Sequence, residues 1–334
     1  MCRLLSLLMF VLSCAWLPQA RAQGNTCSAT VVDANFGSIS PISGTDYTVT
    51  GSGTLSCTFA PLAPLLTAYV SACLNLNLGT NSLSAPARML GNGTLRMPYN
   101  LYVDASYAPA SIWGGPGVTG ALSSLPVSLS MGLLSLGGTK TQNFSFYGKI
   151  PAGTALAAVS TVNNSNTEYS SSFTGAGTLT YAISVLAAPA NCLGNSASFG
   201  FTVKATAINN CTITATPMTF TTATVLTGSV RSTSTLTVRC VNNNGYQIAL
   251  NGGAVAGNVA ARKMKNTVSA ATIDYRLSGT LDGPLWGDGT GGTAMVTGTG
   301  TGNSVPVTIY GRVPAQTTPV PGDYKDTVTA TIYF

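Results

Sequence analysis

The chain has 334 residues and a formal net charge of +6; only 7% of its residues are charged and none is histidine. This length allows two domains, and the abundance of small and β-branched residues favours strands joined by turns. Without histidine, Ser-His and Cys-His catalysis are excluded, and the nine acidic residues lie in no recognisable motif. We predict an all-β protein that is not an enzyme and has no metal site or cofactor. The one basic cluster, Arg262, Lys263 and Lys265, is interpreted as a solvated loop, so no nucleic-acid partner is expected.

The first 22 residues have the pattern of a signal peptide for export. Arg3 precedes the apolar run Leu4–Leu12, and Ala20–Ala22 provides a small-x-small cleavage site. Cleavage after Ala22 leaves the mature chain. A lipoprotein site at Cys14 is the alternative, and the shortness of the apolar run before it argues against that reading.

A weak internal repeat divides the remaining sequence into two similar halves. Two cysteines lie 30 residues apart in the first half and 29 apart in the second, and the stretch YGKIPAG of the first matches YGRVPAQ of the second. The matching pairs are Cys27 and Cys211, Cys57 and Cys240, Trp113 and Trp286, Tyr147 and Tyr310, Tyr169 and Tyr324. Each half is interpreted as one copy of the same β-domain, the first covering residues 23–208 and the second residues 209–334.

Six cysteines follow the signal peptide, and an even number in an exported chain favours disulfides over free thiols. The repeat pairs two of them in each copy and leaves two for a third bridge specific to the first copy. The predicted bridges are Cys27–Cys57, Cys211–Cys240 and Cys73–Cys192. Either equivalent bridge closes a loop of about 30 residues, which stabilises the fold by about 3 kcal/mol.

Three segments of the first copy exceed their counterparts by 7, 10 and 8 residues, and apolar stretches lie near them: Ala60–Val70, Thr119–Gly138 and Pro151–Val162. Inserted loops are usually polar and lie at the surface, so apolar ones indicate an exposed contact patch. The predicted surface-binding residues are Leu62, Leu65, Leu66, Tyr69, Val70, Leu122, Leu125, Met131, Leu133, Leu134, Leu156 and Val159. The alternative is that part of each segment is ordinary core strand, as the alternation of the middle segment allows.

The segment Ser196–Ile208 alternates apolar and polar residues between the two copies, as a strand with one buried face does. The second copy has no equivalent after its last alternating strand. We predict that the segment completes the sheet of the first copy in cis through Phe199, Phe201, Val203 and Ala205, which leaves the second copy with an open groove. The alternative is that the segment only links the domains.

The cysteine pair, the Tyr-Gly-x-Ile/Val-Pro stretch and the closing sequence PGDYKDTVTATIYF (321–334) resemble the spore coat protein U domain. That domain occurs in subunits of archaic, Csu-type chaperone–usher pili. The resemblance implies incomplete immunoglobulin-like sandwiches, which a periplasmic chaperone holds and an outer-membrane usher polymerises while each neighbour donates a completing strand. In the second copy the strand facing these partners contains Val328, Ala330, Ile332 and Phe334.

The sequence departs from the ordinary pilin pattern because only Gln23–Thr26 precede Cys27. We expect such a subunit to accept a strand without donating one, and two-domain members resembling this arrangement are tip adhesins that bind surfaces through hydrophobic loops. The resemblance implies a cell-surface tip adhesin that attaches cells to abiotic or host surfaces and promotes biofilm formation. Two alternatives are a structural spore or cyst coat protein and a glycan-binding subunit that uses Tyr102, Tyr107 and Trp113.

Overall fold

The computed structural model describes residues 24–61, 67–120, 123–133 and 137–334, with only the backbone of residues 131–133. The predicted signal peptide, residues 1–22, lies outside the described residues. Nearly all described elements are strands; the exceptions are α1 (Thr154–Ala157) and two 3₁₀ turns (Ala85–Ala87 and Pro109–Ser111). The all-β prediction is confirmed. No helix in the described part of the chain is long and apolar enough to cross a membrane.

Residues up to Ala207 form two sheets that we call the first sandwich. One sheet has eight strands in the order β1-β3-β8-β6-β5-β9-β12-β2, and the other has four in the order β11-β10-β4-β7. All neighbours are antiparallel except β12 and β2, which are parallel. The strands are β1 (Thr26–Val31), β2 (Ala34–Ile39), β3 (Tyr47–Phe59), β4 (Thr67–Leu76), β5 (Arg88–Asn92), β6 (Leu95–Tyr102), β7 (Leu125–Leu133), β8 (Gly138–Ile150), β9 (Thr167–Ser172), β10 (Gly177–Val185), β11 (Asn195–Phe199) and β12 (Thr202–Ala207).

Residues from Cys211 onward form a second pair of sheets, the second sandwich. Its larger sheet has six strands in the order β13-β14-β19-β17-β16-β20, and the smaller has three in the order β18-β15-β21. The strands are β13 (Cys211–Ala215), β14 (Val230–Cys240), β15 (Gly245–Leu250), β16 (Arg262–Asn266), β17 (Thr272–Ser278), β18 (Val296–Thr299), β19 (Val305–Val313), β20 (Tyr324–Lys325) and β21 (Ala330–Tyr333).

The two sandwiches share one strand order. Removing β12 and β2 from the eight-stranded order, and β11 from the four-stranded order, reproduces the order of the second sandwich strand for strand. The indole N–H of Trp113 donates to the carbonyl of Leu74 at 2.8 Å, and that of Trp286 donates to the carbonyl of Ile248 at the same distance. The internal repeat predicted from sequence is therefore a repeat of topology and of side-chain contacts.

The disulfide pairing predicted from the repeat is confirmed. The three bridges are Cys27–Cys57, Cys73–Cys192 and Cys211–Cys240. The first and third join the opening strand of each sandwich to the next long strand, at directly opposed positions of β1 with β3 and of β13 with β14. The remaining bridge ties the chain between β10 and β11 to the middle of β4.

The predicted strand Ser196–Ile208 pairs with the first sandwich, but as two strands rather than one. The chain crosses between the sheets at Gly200: β11 pairs with β10 in one sheet, and β12 pairs with β9 and β2 in the other. Glycine suits this crossing because the chain passes close to the backbone of Phe173 and Thr174. A Cβ added at Gly200 would lie only 3.1 Å from the Cα of Thr174 and 3.2 Å from the carbonyl oxygen of Phe173. Apolar side chains of both strands enter the core, namely Phe199, Phe201, Val203, Ala205 and Ala207.

The interpretation of Arg262, Lys263 and Lys265 as a solvated loop is wrong, because these residues open strand β16. Arg262 is buried and donates hydrogen bonds to the carbonyls of Asn251 (2.8 Å) and Leu250 (2.9 Å). Arg88 occupies the equivalent place at the start of β5 and is also buried. Of the three basic residues, only Arg262 therefore serves the interior of the fold, while Lys263 forms a surface ion pair with Asp274 and Lys265 is exposed.

Candidate functional site

The last two strands of the second sandwich, β20 and β21, each have a neighbouring strand on one side only within the described part of the chain, and we call them together the open edge. Among the described residues β20 pairs only with β16, and β21 pairs only with β15. From β20 to β21 every second side chain points inward but is only half-buried, including two between the strands; these side chains are Tyr324, Asp326, Val328, Ala330 and Ile332. The equivalent side chains of the first sandwich, Tyr169, Ser171, Phe173 and Leu179, are fully buried. The difference is the cover that β11 and β12 provide.

Residues 216–229 lie opposite this open edge. Residues 216–229 follow β13 and contain no strand, although the equivalent stretch of the first sandwich forms β2. Phe220 nevertheless packs over Gly311 as Phe36 packs over Gly148, with 2.9 and 2.8 Å between the ring and an added Cβ. A groove therefore lies between β20–β21 and residues 216–229, in the position that β12 fills in the first sandwich.

The first sandwich shows how such a groove is filled. The ring of Phe201 lies 4.9 Å from that of Phe173, 5.4 Å from Phe146 and 5.9 Å from Trp113, measured between ring centroids. In the second sandwich Trp286 is retained, but the positions of Phe146 and Phe173 are taken by Ile309 and Val328. The second groove is thus lined by smaller side chains and can accept a bulkier strand.

The predicted partner-facing residues of the C-terminal strand lie along this groove. Val328, Ala330 and Ile332 are half-buried and pack against the core of the second sandwich. Phe334 follows β21 and is 48% exposed. The first three therefore lie where a completing strand would cover them, and Phe334 lies at the end of the groove.

A second candidate region is the end of the first sandwich that we call the loop pole. Phe59 lies opposite Gly138, and Thr67 lies opposite Leu133, so the end of β3, the start of β8, the start of β4 and the end of β7 all lie at the same end of the sheets. The N–H of Leu186 donates to the carbonyl of Thr67 at 3.2 Å and brings connection 186–194 to this end. The loop pole is defined by these described strand ends and by connection 186–194.

The loop pole and the second sandwich lie at opposite ends of the first. Strand β3 has 13 residues and spans roughly 40 Å. It ends at Phe59 beside the loop pole and begins at Tyr47, whose hydroxyl accepts a hydrogen bond from the N–H of Ser40. The hydroxyl of Ser40 is in turn bonded to the side chain of Asn210, at the start of the second sandwich.

The predicted surface-binding residues fall into four groups. Leu62, Leu65, Leu66, Leu122 and Leu134 lie outside the described residues, and of Met131 and Leu133 only the backbone positions at the end of β7 are described. Tyr69 is half-buried near the start of β4. The prediction is wrong for Val70, Leu125, Leu156 and Val159, all of which are buried. Val70 and Leu125 are inward positions of β4 and β7, so the alternative of ordinary core strand holds for both.

The third apolar insertion, Pro151–Val162, lies at the joint between the sandwiches. Its segment buries Leu156 and Val159 in the core of the first sandwich, while its polar groups meet the turn after β14. Asn244, 1% exposed, donates to the hydroxyl of Thr161 at 2.6 Å and to the side-chain carbonyl of Asn209 at 2.5 Å. This segment therefore fastens the two sandwiches together and is not a surface-binding loop.

Sequence reasoning missed two exposed leucines at the loop pole. Leu186 and Leu193 are each 73% exposed, and Leu186 holds a left-handed backbone conformation with φ of 78° that a leucine rarely adopts. Cys192 tethers their connection to β4 through its bridge to Cys73. The signal available in the sequence was this third bridge, which has no counterpart in the second copy.

Two copies of one β-sandwich, one filled by the chain itself and one with an unfilled edge, define a modular all-β protein. The Spore Coat Protein U domain model matches the chain twice, over residues 17–181 and 197–331, and the chain belongs to this family. The second match begins with the residues of β11 and β12, although these strands pair with the first sandwich. No curated protein matches the sequence.

Several solved structures of fimbrial proteins are similar to the chain at low identity. The chaperone–tip adhesion subunit pre-assembly complex CsuC–CsuE from archaic Csu pili of Acinetobacter baumannii has 17% identity and a TM-score of 0.49, over 92% of this chain and 100% of that chain. The CupB6 tip adhesin of Pseudomonas aeruginosa has 11% identity and a TM-score of 0.35, over 92% and 93%. CfaE, the adhesive subunit of the CFA/I fimbria of enterotoxigenic Escherichia coli, has 12% and 0.30, over 90% and 92%.

Proposed function

We propose that the chain is a tip adhesin of a chaperone–usher pilus, with an adhesin domain (23–208) and a pilin domain (209–334). The observation that carries the proposal is the open edge of β20 and β21, because the same edge is filled by β11 and β12 in the first sandwich. A strand from a partner would supply the missing backbone hydrogen bonds and cover the half-buried side chains. Membership of the Spore Coat Protein U family supports this reading.

The internal strand accounts for a position at the end of the fibre. Residues 197–207 open the second family match yet are consumed by the first sandwich. They are therefore not available to complete another subunit. The partners of the second groove are then a periplasmic chaperone, an outer-membrane usher during assembly, and finally the strand of the next pilus subunit. The protein passes through the periplasm and ends at the cell surface, at the pilus tip.

Attachment is proposed to occur through the loop pole, at the end of the first sandwich away from the open groove. Its described residues present Leu186 and Leu193 to solvent. Contiguous exposed apolar surface marks interaction sites, and apolar side chains bind hydrophobic abiotic or host surfaces by the same removal of water that drives folding. The expected outcome of such contact is surface attachment and biofilm formation.

The open groove is tested by hydrogen exchange with a strand supplied in trans. In the chain alone we expect the amides of β20–β21 to exchange faster than those of β9–β10, because they lack a second neighbour. A synthetic peptide copying residues 196–208 should slow exchange in β20–β21; the same peptide with serine at the positions of Phe199, Phe201 and Val203 should not. Equal protection of the two edges in the chain alone would refute an open groove.

The adhesive surface is tested by charge substitution at the loop pole. Leu186→Asp and Leu193→Asp should each reduce attachment to polystyrene several-fold without changing the melting temperature, since both side chains lie in solvent. Leu83→Asp and Val268→Asp are matched controls, because these side chains are 94% and 87% exposed elsewhere on the surface. If the controls reduce attachment as much as the loop-pole variants, the loop pole is not the contact site.

A further inference from the structure

Three arginines converge on the outer face of the second sandwich's larger sheet. Arg231 of β14 lies directly opposite Arg312 of β19, and Arg312 lies directly opposite Arg276 of β17. Like charges at opposed positions of neighbouring strands destabilise a sheet. In a chain with 7% charged residues, this grouping is a costly local arrangement that the core of the fold does not need.

One carboxylate balances only part of this charge. Asp282 accepts hydrogen bonds from Arg231 at 2.9 Å and from Arg312 at 3.1 Å, and these bonds lower the pKa of Asp282 so that it remains ionised. Arg276 makes no salt bridge within the described residues, and the Nε–H of Arg312 is buried without a hydrogen-bond partner. The site therefore holds unused donors and an excess of positive charge.

The arginines line a cleft between the sheet and the loop that carries Asp282. The cleft has a volume of about 430 Å³, within the range of small-molecule sites. Its remaining walls combine the apolar or aromatic residues Leu281, Pro284, Leu285 and Tyr310 with hydroxyl-bearing residues of the strands. We call this feature the arginine cleft.

The first sandwich shows that the fold does not require such a cleft. The positions of Arg231, Arg276 and Arg312 are taken there by Thr48, Asn100 and Lys149, of which Asn100 and Lys149 are again directly opposed. The single lysine is paired with Asp46 at 2.7 Å and lies 5.6 Å from the centroid of the Tyr107 ring.

Tyr107 also makes an edge contact with Tyr147, the equivalent of Tyr310, at a centroid distance of 6.5 Å. In the first copy the place is thus neutralised and covered by an aromatic ring. In the second copy it is charged and open. The two copies differ here in a way that favours a bound anion in the second.

We propose that the arginine cleft binds a small ligand that carries an oxyanion, either a sugar acid or an inorganic anion such as sulfate. Guanidinium groups donate paired hydrogen bonds to carboxylate and sulfate oxygens, and Arg276, which makes no salt bridge within the described residues, is available for this role. The apolar walls and Tyr310 suit the body of a sugar acid. The proposal does not depend on the proposed function, because the cleft lies on β14, β19 and β17 and not along the open groove.

The test is isothermal titration of the full exported chain with glucuronate, glucose and sodium sulfate at low ionic strength. Glucuronate and glucose differ mainly in the carboxylate, so binding of glucuronate without binding of glucose isolates the oxyanion. We expect Arg276→Gln to weaken binding about tenfold. Asp282→Asn should instead strengthen it, because the competing internal carboxylate is removed and asparagine tolerates the left-handed backbone at this position. Arg96→Gln removes an equal charge elsewhere and should change nothing.

Tighter binding of glucuronate than of sulfate assigns the cleft to a sugar acid, and tighter binding of sulfate assigns it to an inorganic oxyanion; both support the proposal. If neither glucuronate nor sulfate binds, the proposal is overturned. Equal binding to wild type, Arg276→Gln and Arg96→Gln also overturns it, since the anion would then be attracted by net charge alone.

Discussion

Replacing Phe201 with alanine tests whether the internal strand is part of the first sandwich's core. The side chain is 4% exposed and packs against Phe173, Phe146 and Trp113. Removing a buried phenylalanine leaves a cavity and costs about 3–5 kcal/mol, so we expect about 4 kcal/mol. For a domain of this size, each kcal/mol lowers the melting temperature by about 2–4 °C. The expected decrease for the first sandwich is therefore roughly 8–16 °C.

The assay is thermal unfolding followed by calorimetry, with the two sandwiches observed as separate transitions. Phe334→Ala is the matched control, because that phenylalanine is 48% exposed at the end of the second sandwich. We expect the control to leave the first transition unchanged. A loss below about 1 kcal/mol for Phe201→Ala would refute the reasoning and favour the alternative that residues 196–208 only link the sandwiches.

Three further substitutions test other parts of the fold. Arg88→Met should destabilise the first sandwich by about 3 kcal/mol in denaturant unfolding, because two carbonyls lose the guanidinium donor that they bond. Arg96→Met, at the surface, is the control, and an equal loss of stability there would contradict this explanation. Gly302→Ala should loosen the joint, measured as a larger radius of gyration by X-ray scattering, since an added Cβ would overlap the carbonyl of Ala157; Gly292→Ala has similar backbone geometry with open space and should have no effect. Burial raises the pKa of Tyr169 from 10 to about 12, so the folded state retains that proton more tightly. The contribution of Tyr169 to the free energy of unfolding should then be fully present below pH 10 and be lost as the pH rises towards 12. In Tyr169→Phe the melting temperature should therefore fall less steeply over this pH range than in the wild type.

The repeat was the most informative signal in the sequence. It identified the disulfide pairs, since a cysteine pair that recurs at nearly the same spacing must serve the same place in both copies. Alternation predicted that Phe199, Phe201 and Val203 would be buried. It did not predict the crossing at Gly200, because periodicity reports which face is buried and carries no information on which sheet a strand joins.

Apolar composition was a poor guide to exposure. Leu156 and Val159 were predicted at the surface, yet they fill the core beside the joint, because a short apolar segment looks the same in either place. Leu186 went unnoticed because a single leucine in a loop has no periodicity, and only the third disulfide marked its connection. Arg262 could have been placed correctly by aligning it with Arg88 through the repeat. The arginine cleft needed the structure, because its members come from three strands far apart in sequence.

The joint between the sandwiches has a consequence for the fibre. Only Ile208–Asn210 separate β12 from β13, so a completing strand leads almost directly into the next module. If the proposed function is right, the next subunit donates a strand to the second groove. A strand that runs there in the same direction as β12 runs in the first sandwich would place that subunit against the far end of the second sandwich. At the joint between the two sandwiches, which we call the inner joint, Asn244 donates a hydrogen bond to Thr161 of the inserted segment 151–162. The far end of the second sandwich has no counterpart of that insertion. The inner joint should therefore be the stiffer of the two, so that the adhesin and its pilin domain move as one body on a more flexible attachment.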